Sequence, residues 1–171
     1  MRLPLLVRVM TAGCAAAALL SSGPAAVATS APVLPVECTG TSKIESDGLK
    51  PQPTPQTYQG TRSYVCSGGD LLAPTAVQSV VEGTANSSCT KLSATTRETL
   101  TWPDGTTSEI EIPIEVAIEP DAVDVRATGT VMRGKYAGAG VTSTFPMPPC
   151  GLPGKVEGPA ALTITPTASV A

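Results

Sequence analysis

The 171-residue chain contains no histidine. That absence excludes histidine-based acid and base catalysis, Ser-His-Asp triads and histidine-containing metal sites. Aromatic residues make up only 3% of the chain and charged residues 15%. The aromatic side chains Tyr58, Tyr64, Trp102, Tyr136 and Phe145 are scattered rather than grouped. The formal charge is −3, and no basic stripe is present to neutralise phosphates, so a nucleic-acid partner is not expected. No apolar run reaches the roughly 20 residues that a membrane-spanning helix requires. What the chain has in quantity is 16 glycines and 17 prolines, in a length that suits one domain.

Residues 1–28 have the three parts of a secretory signal peptide. Arg2 and Arg8 are its positive start, the small apolar run from Val9 to Leu20 its middle, and Ala26-Val27-Ala28 its cleavage site. Thr11-Ala12-Gly13-Cys14 resembles the end of a lipobox, with Thr11 where an aliphatic residue belongs, and Cys14 is expected to leave with the signal. Cleavage leaves nine basic residues against 14 acidic ones, and no membrane contact is expected afterwards. Residues 29–35 read as a flexible leader, 36–166 as the folded domain and 167–171 as a tail. Four cysteines remain: Cys38, Cys66, Cys89 and Cys150. An even number in an exported chain reads as two disulfides, with three connectivities open. Zinc is disfavoured, because no two cysteines form a CxxC pair and the compartment is oxidising.

The strongest periodicity lies between Lys91 and Met132. Ile110, Ile112, Ile114, Val116 and Ile118 occupy every even position, and glutamates fill most of the odd ones. Period two carried by β-branched residues specifies a half-buried strand, not a helix. Pro113 falls on its polar side and marks an edge or a bulge. The preceding segment, Lys91 to Trp102, alternates in the same way. Between them Pro103-Asp104-Gly105 is a hairpin turn with glycine at the left-handed position. The resulting register sets Ala94 against Ile114, Leu92 against Val116 and Arg97 against Glu111. It also puts Glu98 on the inner parity opposite Ile110, which reads as a wet rim or a bulge. Further strands are expected around Val36–Ile44, Thr57–Cys66, Thr75–Gly83, Val123–Met132, Tyr136–Phe145 and Ala160–Ile164. Seven or eight short strands with Gly/Pro turns predict an all-β, antiparallel β-sandwich with a thin aliphatic core.

Several short motifs occur in order. They are Cys38-Thr39-Gly40, Tyr64-Val65-Cys66, Thr99-Leu100-Thr101-Trp102 followed by Asp104-Gly105-Thr106-Thr107, Gly129-Thr130-Val131, and Gly134-Lys135-Tyr136-Ala137-Gly138. In this the chain resembles small secreted β-sandwich proteins of actinomycetes with two disulfides. The resemblance spans most of residues 36–165. It implies an immunoglobulin-like sandwich outside the cell, without catalytic residues, and a place in an extracellular protein assembly. With parsimony, it also favours the sequential pairing Cys38–Cys66 and Cys89–Cys150. The chain departs from those proteins in the acidic, isoleucine-rich strand at 109–119, where they carry Thr, Ser and Phe.

Candidate chemistry is sparse. Carboxylates two apart on a strand, such as Glu109 and Glu111, stand about 6.8 Å apart, within the ~5–9.5 Å of glycosidase pairs. No aromatic residues surround them to hold a sugar. No Ser-x-x-Lys stretch activates a nucleophile, and the glycine pairs lack the Lys and Ser/Thr of a phosphate cradle. Glu119, Asp121 and Asp124 match no calcium loop. No catalytic residue, metal or cofactor is therefore expected. From Glu98 to Asp124 there are eight acids and no lysine or arginine. Glu109, Glu111, Glu115 and Glu119 thus form a candidate interaction face for a secreted or cell-surface protein. The reading is a secreted, non-catalytic protein-interaction or structural domain, with a carbohydrate-binding module and a carboxylate-dependent hydrolase as alternatives. Intact mass of the secreted protein is expected to match a chain beginning at Thr29, less four hydrogens for two disulfides. A diacylated Cys14 in the mature product overturns the assignment.

Overall fold

The computed structural model describes residues 34–151 and 154–167. The proposed signal at 1–28, most of the leader at 29–35 and residues 168–171 of the tail lie outside the described residues. Eight strands follow one another: β1 (Val36–Ser46), β2 (Thr54–Gly68), β3 (Thr75–Ser87), β4 (Lys91–Thr101), β5 (Thr107–Ala117), β6 (Asp124–Gly134), β7 (Gly140–Pro146) and β8 (Gly154–Thr165). Each pairs antiparallel with the next. The last returns to the first, from Val36 opposite Ile164 to Ser46 opposite Gly154, and closes a barrel.

This corrects the expected immunoglobulin-like β-sandwich. A sandwich and an up-and-down barrel share strand number and alternation. They differ in whether the first and last strands find each other, and here β1 and β8 pair over the full length of β1. Closure removes both edges, so no backbone ladder is left open to another chain at that seam. Closing also requires bends. A Cβ on Gly129, inside β6, would stand 2.2 Å from the Glu111 carbonyl oxygen. Only glycine lets β6 approach β5 so closely there.

The β4–β5 hairpin has the register read from the sequence. Leu92 faces Val116, Ala94 faces Ile114 and Arg97 faces Glu111. Trp102 N–H donates to the Thr106 carbonyl at 2.9 Å, and Gly105 turns the chain at φ 81°. Ile110, Ile112 and Ile114 are buried, while Val116 and Ile118 are half-buried. The bulge falls elsewhere, at Glu109/Ile110 against β6. The β5–β6 ladder ends at Glu111. Pro113 lies just beyond, so that ladder stops before the residue that cannot donate.

The barrel is mostly apolar inside and polar outside. Val36, Val77, Leu100, Ile112, Leu162 and Ile164 are among its fully enclosed side chains. The outer wall carries threonines and cross-strand ion pairs such as Lys43–Glu157 at 3.2 Å and Lys155–Glu45 at 2.8 Å. Among the described residues no helix is long and apolar enough to cross a membrane. Ile114→Ala is expected to cost about 2–5 kcal/mol, and Glu111→Ala less than ~1 kcal/mol. Urea midpoints of the two variants test this, and equal losses contradict the assignment of faces.

Candidate functional site

Two opposite charges meet in the middle of the barrel. Arg62 on β2 is 2% exposed and Glu98 on β4 is 0% exposed. Arg62 Nη1 donates to Glu98 Oε2 at 2.6 Å. The row through Arg62 explains how it fits. Its neighbours on β1 and β3 are Ser42 and Ser79, small enough to leave room for a guanidinium. Both join the network. Arg62 Nε donates to Ser42 Oγ at 3.3 Å, and Ser79 Oγ donates to Glu98 Oε1 at 2.7 Å. Tyr64 OH donates to the same carboxylate oxygen at 3.2 Å, and Ser143 Oγ accepts from Arg62 Nη1 at 3.4 Å. The guanidinium also lies over the Phe145 ring, 4.9 Å from its centre.

This corrects the reading of Glu98 as a rim residue or a sign of a bulge. Its inner parity is real, and its partner comes from a strand 36 residues earlier in the chain. Burial works to lower the Arg62 pKa, but Glu98, Tyr64 and Tyr58 together outweigh it and hold the guanidinium above its usual value. Burial, and then the charge of Glu98, push the Tyr64 hydroxyl well above the ordinary tyrosine range. Sequence reasoning missed Arg62. The available sign was a lone cation on the inward parity of Tyr58, Tyr64 and Cys66, matched by a lone anion on the inward parity of β4.

The two ends of the barrel are closed differently. At one, Trp102 is buried, donates through Nε1 to Ser108 Oγ at 2.9 Å, and meets Tyr136 edge to face at 5.4 Å. Lys135 Nζ stands 5.1 Å from the Trp102 ring and 3.2 Å from Asp70. Tyr136 hydrogen-bonds Asp70 from a backbone φ of 65°. Burial, then this bond, raise the Tyr136 pKa, and the same bond lowers that of Asp70. The motifs around Trp102 and Tyr136 thus build a plug. At the other end a strap crosses the mouth. Leu49 N–H donates to Pro149 O at 3.1 Å, Gly151 N–H to Leu49 O at 2.7 Å, and Cys89 N–H to Lys50 O at 2.8 Å. The Cys89–Cys150 disulfide joins the loops on either side. The other disulfide, Cys38–Cys66, links facing residues of β1 and β2 inside the wall.

The expected acidic face is neutralised by neighbours distant in sequence. Glu109 pairs with Arg133 at 2.8 Å, Glu111 with Arg97 at 3.4 Å and Glu115 with Lys91 at 3.0 Å. A hydrogen bond from Ser93, then Lys91, lower the Glu115 pKa. Glu119 lies in the loop after β5 and is exposed. The unbroken acidic run therefore does not become an unbroken acidic surface. Among the described residues no cluster of three or more acidic or cysteine side chains could hold a metal.

A concave surface lies instead on the outer wall beside the strapped end. The β1–β2 ladder stops at Glu45 opposite Gln59, and above it β2 continues against β3 alone. Gly60 and Gly83 point inward there without side chains, and the Tyr58 ring lies where a Cβ on Gly83 would go. On the outer face of this region lies a groove of about 1070 Å³. Its floor carries Thr57, Gln59, Thr84 and Thr95, and its walls carry the Glu45–Lys155 pair on one side and Glu82 and Arg97 on the other. A second hollow of about 430 Å³ shares Glu45, Gln59, Glu82 and Lys155 and extends it toward Val80.

Compared with known proteins, the chain matches no family model, no curated protein and no solved structure. Geometry alone therefore carries the functional argument. For the interior pair, Glu98→Leu is expected to cost about 3–5 kcal/mol because it leaves Arg62 buried and unpaired. Adding Arg62→Met should recover part of that loss, so the double variant is more stable than Glu98→Leu alone. Denaturant midpoints of the cycle decide it, and additive losses contradict the coupling.

Proposed function

We propose that the protein is a secreted, non-catalytic binding domain whose outer groove receives an extended segment of another secreted or cell-surface protein. The observation that carries this reading is the groove itself. It is polar, lined by threonine hydroxyls, the Gln59 amide and charges of both signs. Those groups suit a peptide backbone with mixed side chains. They stand on a wall held by barrel closure and two disulfides, so little ordering remains to be done on binding. Two disulfides are consistent with an extracellular protein. An apolar interior and a polar outer wall suit life in water after removal of the signal.

The alternatives have less support. In the groove the one aromatic ring, Tyr58, lies against Gly83, and its hydroxyl is 2.5 Å from Thr96 Oγ1. A single ring so engaged, with no second aromatic in the lining, is a poor platform for a sugar to stack on. Glu98, the one carboxylate enclosed in the barrel among the described residues, has its oxygens engaged by Arg62, Tyr64 and Ser79. That arrangement leaves it no access to a substrate. The ion-paired glutamates of β5 rank second as a contact surface.

Capture from culture supernatant by the immobilised mature protein tests the assignment. Gln59→Trp and Thr84→Arg fill the groove and are expected to weaken capture of any specific partner at least ~tenfold, about 1.4 kcal/mol. Glu111→Lys with Glu115→Lys should leave it unchanged. The opposite pattern moves the contact surface to β5, and capture of glycan rather than protein overturns the reading.

A further inference from the structure

We propose that the strapped end of the barrel is a second binding site, for a short aliphatic molecule with a carboxamide-type head, and that the Cys89–Cys150 strap controls entry to it. Beneath the strap lies a cavity of about 50 Å³, distinct from the outer groove. Ile44, Leu92, Ile114 and Val156 line it with aliphatic groups, and Leu49 and Pro148 roof it. Two polar side chains face the same space. Gln56 Oε1 is buried and accepts no hydrogen bond among the described residues. Arg62, whose hydrogen bonds go to Ser42, Glu98 and Ser143, lines the same space beside it. A buried acceptor without a donor is costly to enclose.

The ligand class follows from that acceptor and from the walls around it. Its head must donate to Gln56, which a primary amide does and a carboxylate anion does not. Its tail must be aliphatic to match the walls. In the strapped form the cavity has room for no more than two or three waters and falls well short of the ~150 Å³ that admits benzene. Entry of a six-carbon chain therefore requires the roof to lift. Leu49 is held by backbone bonds to Pro149 and Gly151, and the disulfide holds the flanking loops together. Cys150 is exposed and Cys89 half-buried, whereas Cys38 and Cys66 are enclosed. A thiol reductant can thus open this bond alone. Two thiols supply two electrons and two protons, Cys89 and Cys150 become thiols, and the reductant leaves as its own disulfide.

Hexanamide binding, followed by calorimetry on the mature protein, tests the proposal. Loosening the strap by Cys89→Ser with Cys150→Ser, or by Leu49→Ala with the disulfide intact, is expected to raise apparent affinity roughly tenfold or more by raising the fraction of open molecules. The Leu49→Ala variant keeps the test alive if the cysteine variant does not fold, as judged by the near-ultraviolet signal of Trp102. Adding Ala94→Val, which fills the cavity, should abolish the gain, and hexanoate at pH 7 should bind more weakly than hexanamide. No binding to either loosened, folded variant overturns the site. Equal binding to the strapped protein overturns the gate, and binding insensitive to Ala94→Val places the ligand elsewhere.

Discussion

Arg62 and Glu98 put opposite full charges at the centre of a barrel that is otherwise mostly aliphatic, and their surroundings are shaped by that choice. Enclosing either charge alone costs several kcal/mol, and their attraction offsets this only if the remaining donors and acceptors are met. Ser42, Ser79, Ser143 and Tyr64 meet them from four different strands. The network is therefore satisfied only when β1, β2, β3, β4 and β7 stand in one register. A slip of one residue in any of them would turn a polar group to the outer wall and an outer residue to the centre. With few aromatic side chains to set a unique packing, such a network can supply the specificity that an aliphatic core lacks.

The outer wall repeats the same logic at lower stakes. Lys43–Glu157 and Lys155–Glu45 tie β1 to β8, Lys91–Glu115 and Arg97–Glu111 tie β4 to β5, and Arg133–Glu109 ties β5 to β6. Each exposed pair contributes little, typically about 0–1 kcal/mol. Their value is positional. A shifted register would set like charges opposite each other, which is unfavourable across a pair of strands. The pairs across β1 and β8 matter most in this respect, since that seam closes the barrel and joins segments more than a hundred residues apart.

What could be read from the sequence follows the range of the interaction. The β4–β5 hairpin was legible because its determinants are adjacent: alternation in Ile110 to Ile118, a Pro-Asp-Gly turn, and Arg97 set against Glu111. Closure was not. Whether β1 meets β8 depends on two edges at opposite ends of the domain, and strand count and alternation are the same with or without that contact. Glu98 illustrates the same limit in one residue. Its parity was read correctly, but its partner is on β2, and a lone acid among apolar neighbours invites explanation by a rim. The acidic run from Glu98 to Asp124 is the converse case. It is continuous along the chain, yet Lys91, Arg97 and Arg133 from neighbouring strands divide it in space. The outer groove left little trace, since the polar residues that line it read like any outward face of a strand.

The two disulfides divide their work by depth. Cys38–Cys66 joins residues already paired across β1 and β2, closes a span of 28 residues, and lies in the enclosed wall. Cys89–Cys150 spans 61 residues and joins loops rather than strands. In a chain-entropy account the longer loop stabilises more, by constraining the unfolded chain. Its position has a second effect that loop length does not describe. The strands from β4 to β7 are already held by their ladders and by the central network, so the bond adds little to their alignment. What it fixes is the mouth, where Leu49 and Pro148 would otherwise be free to withdraw from the cavity below. An ion pair holds the centre, an aromatic plug holds one end, and a covalent strap holds the other. Of these three, only the strap can be released without disturbing the register of the barrel.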